Sequence, residues 1–285
     1  MNLGIIGPGR MGLALGAALR KADAIERLTY YGRDMEAPPH PIFDGVDAAD
    51  YRISPHALLP GTNVVILAVP DSALAEVVHD LAAFGSPPPA CIALHVAGAI
   101  STEVLAPLHA VGYGVGSLHP LQAIADPFHS GDRLFGSAYA LAGEPEAVAV
   151  GRRLVSALDG LPLVIAPNKR QLYHASAVVA SNYMIALLAF AVRLMMQAGV
   201  SESDSLDALL PLVKGTLENL EQLGVGAALT GPIARGDGDT IRLHLARLSD
   251  SDRALYSGLG QELLRVARAA GLNPEKAAEL EQLLS

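Results

Sequence analysis

The chain opens Met1-Asn2-Leu3-Gly4-Ile5-Ile6-Gly7-Pro8-Gly9-Arg10-Met11-Gly12. Residues 3–6 are short and apolar, the pattern of a strand covered on both faces. Residues 11–21 are rich in Ala and Leu and predict a helix. Between them the glycines fall at the G-x-G-x-x-G spacing, which gains meaning only in this strand–turn–helix context. Gly7 permits a tight turn, Gly9 lets the backbone approach a ligand, and Gly12 lets helix and strand pack closely. The free amides at the start of such a helix bind phosphates. The stretch therefore points to a turn around a dinucleotide pyrophosphate, with Pro8, Arg10 and Met11 in the same wrap. A glycine-rich turn with no ligand is the plainer alternative.

Working outward, residues 27–31 read as a second strand, followed by Gly32-Arg33. An acidic residue there would take a ribose 2′-hydroxyl. Instead Gly32 leaves room and Arg33 can pair with a 2′-phosphate, so NADP(H) is the cofactor expected. Asp34 comes one position late, and a solvated Arg33 is the competing view. Residues 64–69, 90–96, 112–118, 138–141 and 161–165 complete seven strand candidates, with 72–81 helical between the first two of them. Such alternation predicts an α/β fold, a doubly wound, mainly parallel Rossmann sheet. Ala68, Val69, Pro70 and Ala97 end two of these strands, where ligands of doubly wound sheets sit. They are predicted to lie against the cofactor.

From Asn168 the strand signals stop. Residues 169–198, 203–223, 240–248, 251–270 and 274–284 read as helices, the last opened by Asn273-Pro274. Residues 1–166 are thus predicted to form the NADP-binding domain, and 167–285 an all-helical second domain. Residues 224–239 read as a loop by composition.

A formal net charge of −9 and a pI of about 5.4, with no basic stripe, argue against nucleic acid as a partner. The one cysteine, Cys91, excludes an intramolecular disulfide and a cysteine metal site. It is expected as a buried small hydrophobe. No leader precedes the first strand, and the longest apolar run, near 184–192, is shorter than the roughly 20 residues that span a bilayer. A cytoplasmic protein without a membrane partner is expected.

The chemistry concentrates in clusters. Gly116-Ser117-Leu118-His119-Pro120-Leu121-Gln122 closes a strand candidate. His119 suits proton donation or carbonyl polarisation near neutral pH. Ser117 and Gln122 are placed near substrate, and a histidine satisfying loop backbone is the alternative. On an ideal helix His174, Val178, Ser181, Asn182 and Ile185 share one side. His174, Ser181 and Asn182 are therefore candidate catalytic groups, unless they make interhelical hydrogen bonds. Lys169 lies well round from them but sits at the helix start. In Thr230-Gly231-Pro232-Ile233-Ala234-Arg235-Gly236-Asp237, Thr230 and the fork of Arg235 could hold a carboxylate. Alternatively, Asp237 or Asp239 caps the next helix. No nucleophile elbow and no His-Glu-x-x-His pattern occurs, and no metal is expected.

The Gly-Pro-Gly-Arg-Met-Gly start, Ala68-Val69-Pro70-Asp71, Gly116–Leu121, Tyr173-His174-Ala175 with Ala180-Ser181-Asn182-Tyr183, and residues 228–237 together resemble the Rossmann-like oxidoreductases that carry the domain of unknown function 2520. That family is similar in layout to the 6-phosphogluconate dehydrogenase superfamily, with ketopantoate reductases, pyrroline-5-carboxylate reductases and prephenate dehydrogenases. The resemblance implies a helical second domain that builds a homodimer. Thr230-Gly231-Pro232 is similar to the substrate loop of pyrroline-5-carboxylate reductases, and His119-Pro120 to the His-Pro of prephenate dehydrogenases. The Lys-x-x-x-Asn spacing of β-hydroxyacid dehydrogenases is absent, since residue 173 is Tyr and Asn182 follows Lys169 by thirteen. The expected activity is NADPH-dependent reduction of a small anionic 2-oxo acid. His119 or His174 would act as donor, Ser181 and Asn182 would orient the oxygen, and Arg235 would clamp the carboxylate. Reduction of a cyclic imine, a prephenate-like dehydrogenation and a non-catalytic NADP sensor are the alternatives.

Overall fold

A computed structural model describes the chain except residues 54–57, 59, 129 and 130. The chain divides into two compact units, Met1–Met184 and Ile185–Ser285.

The first unit is built on one sheet. Its strands are β1 (Asn2–Ile6), β2 (Arg27–Gly32), β3 (Asp50–Ile53), β4 (Val64–Leu67), β5 (Ile92–His95), β6 (Gly114–Pro120), β7 (Ala138–Gly143) and β8 (Leu161–Val164). Their order is β3-β2-β1-β4-β5-β6-β7-β8. Every pairing is parallel except β6 with β7. The seven strands read from the sequence are all present. The eighth, β3, was hidden because its Asp-Tyr-Arg-Ile is a half-exposed edge rather than an apolar run.

Helices α1 (Arg10–Lys21), α2 (Asp71–Ala83), α3 (Ala106–Ala110) and α4 (Pro145–Ala157) cover the sheet. Two apolar clusters follow from strand alternation. Leu3, Ile5, Leu28, Ile66, Leu94 and Leu118 belong to the one shared with α1 and α4. Ile6, Val65, Leu67, Ala93 and Val115 belong to the one shared with α2 and α3. With period two, His95, Ser117 and His119 fall on the second face. Cys91 is fully buried there, and burial pushes its thiol up to about 12, as expected of a small core hydrophobe.

Beyond β8 a short turn, Pro167–Lys169, leads into α5 (Arg170–Gln197). The sequence boundary at 166/167 marks the end of strand formation. The first compact unit runs on to Met184, because the opening turns of α5 bond back to the sheet. By length and composition, residues 167–197 form a helix long and apolar enough to cross a membrane, which the short run at 184–192 did not suggest.

The second unit holds the remainder of α5, α6 (Glu202–Ala228), α7 (Gly231–Arg235), α8 (Gly238–Leu245), α9 (Asp250–Ala269) and α10 (Pro274–Leu283). Its core joins Ile233, Ile241, Leu264, Leu280 and Leu284. The loop expected over 224–239 is largely helical. Gly224, at φ +72°, kinks α6 rather than ending it, and Gly231-Pro232 starts α7 because proline fits a helix's first turn.

Candidate active site

The opening turn is shaped by what its glycines exclude. Gly7 has φ +100°, and a Cβ there would stand 2.6 Å from the Ala68 carbonyl oxygen. A Cβ on Gly12 would meet the Gly7 oxygen at 2.2 Å. Gly9, the N-cap of α1, faces open space, and among the described residues no side chain caps the helix start. Those amides are left for an anion, so the turn fits a pyrophosphate. Pro8 and Met11 are half-buried and Arg10 is exposed. The buried Tyr30 hydroxyl donates to the Gly12 carbonyl at 3.1 Å and fills the space left by Gly16, fastening α1 to the sheet.

Arg33 is exposed, with no hydrogen bond or ion pair among the described residues. Gly32 serves another purpose than the one expected: the Tyr51 hydroxyl occupies the place of its Cβ, and that hydroxyl donates to the Asp34 carbonyl at 2.9 Å. Ala68 and Val69 are half-buried beside Gly7 and Gly12, and Pro70 caps α2.

The strand ends place Ile6, Leu67, His95 and Ser117 in one row of paired residues. Opposite that row, Arg170, Tyr173 and His174 share a face of α5 at the i, i+3, i+4 spacing. Arg170 is only 1% exposed. It donates to Ser117 Oγ at 2.7 Å and to the Ala97 carbonyl at 2.5 Å, while its Nε has no partner among the described residues. The Tyr173 hydroxyl lies 2.8 Å from His119 Nδ1, the rings meeting edge to face. The His119 and His174 ring centroids are 6.0 Å apart. Gly98 makes this possible, since a Cβ there would stand 2.4 Å from His174 Nδ1 and 2.8 Å from His119 Nε2.

Burial, the Arg170 charge and His174 hold His119 down at about 4, well below its ordinary 6.5. His95 is fully buried with neither ring nitrogen partnered among the described residues, and burial, Arg170 and His119 push it to about 3. Both imidazoles are therefore neutral at physiological pH. Burial raises the Tyr173 phenol, and Arg170 opposes that rise.

Several sequence candidates fall elsewhere. Ser117 is buried and occupied by Arg170 rather than facing a substrate. Ala97 is buried, with its carbonyl held by the same guanidinium. Gln122 is committed to its own loop, donating to the Arg133 carbonyl at 3.2 Å and to Ser137 Oγ at 3.3 Å. Lys169, Ser181 and Asn182 are exposed in the single chain. Along the opening turns of α5 the covered positions are instead 170, 173, 174, 177 and 178. In the second unit Thr230 is the exposed N-cap of α7, and the Arg235 side chain is exposed. Asp237 caps α8, accepting from the Thr240 amide at 3.0 Å and its hydroxyl at 2.7 Å. No role was assigned from the sequence to Arg170, Tyr173 or His95, although the spacing of Arg170, Tyr173 and His174 carried the signal.

A Rossmann-like domain profile matches residues 1–120, and the profile of a domain of unknown function, DUF2520, matches 137–263. The chain joins a Rossmann-like domain to a DUF2520 domain. No curated protein sequence matches it. Among solved structures it is similar to a Thermotoga maritima protein (TM-score 0.73, 19% identity, covering 94% of this chain and 98% of that one). It is also similar to a Plasmodium falciparum pyrroline carboxylate reductase solved with NADP bound (TM-score 0.59, 14% identity, 100% and 98% covered). A third is a reductive aminase from Aspergillus terreus in complex with NADPH and ethyl-5-oxohexanoate (TM-score 0.57, 19% identity, 99% and 92% covered). At these identities the likeness is one of fold. The DUF2520 profile begins before β7 and ends inside α9, so it takes in the α5 segment that carries Arg170, Tyr173 and His174.

Proposed function

We propose that this Rossmann-like, DUF2520-containing chain is an NADPH-dependent oxidoreductase that reduces the carbonyl of a small 2-oxo acid. One observation carries the reading: an uncapped, glycine-walled helix start follows β1, and a half-buried imidazole–phenol pair sits at the carboxyl end of β6 in the same sheet. The amides from Gly9 to Gly12 would hold the pyrophosphate, and Arg33 the 2′-phosphate. Val69 and Pro70 would flank the cofactor. When bound, the reduced nicotinamide supplies the hydride. The neutral His119 can donate a hydrogen bond to the acceptor atom without carrying charge itself. Arg235 and Thr230 offer exposed donors suited to a carboxylate.

Two of the structures similar in fold are named pyrroline carboxylate reductase and reductive aminase, which favours a C=N acceptor as a second reading. The reading also carries a homodimer and residence in the cytoplasm. The test is NADPH oxidation against a panel of 2-oxo acids, cyclic imines and, in the reverse direction with NADP, prephenate. Turnover confined to 2-oxo acids supports the first reading, and turnover confined to imines supports the second. Tight NADPH binding with no turnover on the panel would favour a sensor.

A further inference from the structure

We infer that Tyr173 and His119 act as one proton-delivery pair, with His119 Nε2–H as the group that meets the acceptor atom and Arg170 as the residue that positions the pair. The inference rests on the reductase reading above and deepens it.

Relative acidity sets the direction of the bond between them. A phenol is a better donor than acceptor toward a neutral imidazole, so the Tyr173 O–H points into the lone pair of His119 Nδ1 at 2.8 Å. The ring proton then sits on Nε2. That nitrogen lies against the Gly98 backbone, where any side chain would collide with it. The groups that face the His119 ring are Arg170, Tyr173 and His174 from α5 and His95 from β5. Asp71, at the start of α2, acts on Arg170 from a distance.

Arg170 makes no ion pair among the described residues, and its two bonds go to the neutral Ser117 hydroxyl and the Ala97 carbonyl. It is a buried cation with no carboxylate bonded to it among the described residues, one turn before Tyr173. Its charge opposes an imidazolium at His119 and favours a phenolate at Tyr173. A charged histidine acid is therefore the costly route and a relay the cheaper one.

In that relay the His119 Nε2–H bond breaks as the substrate O–H or N–H bond forms. At the same time the Tyr173 O–H bond breaks and an Nδ1–H bond forms. The imidazole ends neutral in its other tautomer, and the phenolate faces Arg170. Tyr173 is half-exposed, so solvent returns its proton. The electron pair comes with the hydride of the proposed reaction, so one hydride and one proton reduce one double bond.

The test combines nitrogen-15 histidine NMR with kinetics on the full chain and on Tyr173→Phe. NADPH affinity is measured on both by fluorescence. At neutral pH the wild type should show His119 protonated at Nε2 and bare at Nδ1, and Tyr173→Phe should lose that fixed tautomer. With NADPH and whichever probe of the panel is turned over, Tyr173→Phe should lower kcat by about 10²- to 10³-fold, with KM and NADPH affinity changed less than about twofold. A wild-type His119 protonated at Nδ1, or a Tyr173→Phe chain that keeps kcat, overturns the pair. Failure of the wild type to bind NADPH removes the reductase reading instead, and the nitrogen spectrum still decides whether the pair exists.

Discussion

Arg170 sets the character of its surroundings. A guanidinium 1% exposed, and bonded among the described residues to one hydroxyl and one carbonyl, spreads its charge over the buried His95 and the half-buried His119. Replacing it by Met removes that charge and leaves the Ala97 carbonyl unmet, at a cost of about 1–3 kcal/mol. His119 should then begin to protonate at a higher pH than its present value of about 4, whereas Arg170→Lys should keep it low. The sign carries over to stability. With folded values depressed to about 4 and about 3, His119 and His95 bind fewer protons in the folded chain than in the unfolded one below the ordinary 6.5. Stability is fully present above that value and is lost as pH falls toward 3. Urea melts across this window on wild type, Arg170→Met and Arg170→Lys check both claims. The loss should be shallower in Arg170→Met, and an unchanged pH slope would contradict the account.

At the scale of elements, α5 and α6 leave much apolar surface in water. Ile185 is 70% and Leu212 67% exposed, and Leu172, Val179, Leu223 and Val225 are exposed with them. Burying one such side chain is worth about 1.5–3 kcal/mol, so these faces call for a cover. The proposed homodimer supplies it. Sedimentation at about 10 µM should give a dimer, and Ile185→Glu with Leu212→Glu should give monomer or aggregate. A stable wild-type monomer would contradict the dimer. These same helices show why part of the site was illegible. A helix face read from residue 174 onward runs through Ser181 and Asn182, which are exposed in the single chain. The face that meets the sheet starts earlier, at Arg170, and only tertiary contact reveals it. Ser117 likewise looked like a substrate group because its partner, Arg170, is distant in sequence, and Gln122 because the fold of its own loop onto Arg133 and Ser137 has no local signature.

For the whole molecule, the order of strands and helices was legible because each central strand is a short apolar run and the glycine spacing fixes the first turn. The edge strand β3 escaped because it is mostly exposed and has no apolar run, and the kinked end of α6 escaped because Gly224 looks like a loop residue. The purpose of Gly32 was also out of reach, since it answers to Tyr51, nineteen positions away. Everything functional then depends on the turn from Gly7 to Gly12 binding a dinucleotide. The direct measurement is calorimetric titration of the wild type, Gly12→Ala and Arg33→Ala with NADPH and NADH. A Cβ on Gly12 would press on the Gly7 carbonyl oxygen, a backbone atom with little room to yield. The account predicts saturable wild-type binding that favours NADPH, a loss of at least about tenfold (roughly 1.4 kcal/mol) in Gly12→Ala, and no preference for NADPH in Arg33→Ala. A wild-type chain that gives no heat with either nucleotide, or a Gly12→Ala chain that binds NADPH as well as wild type, would contradict it.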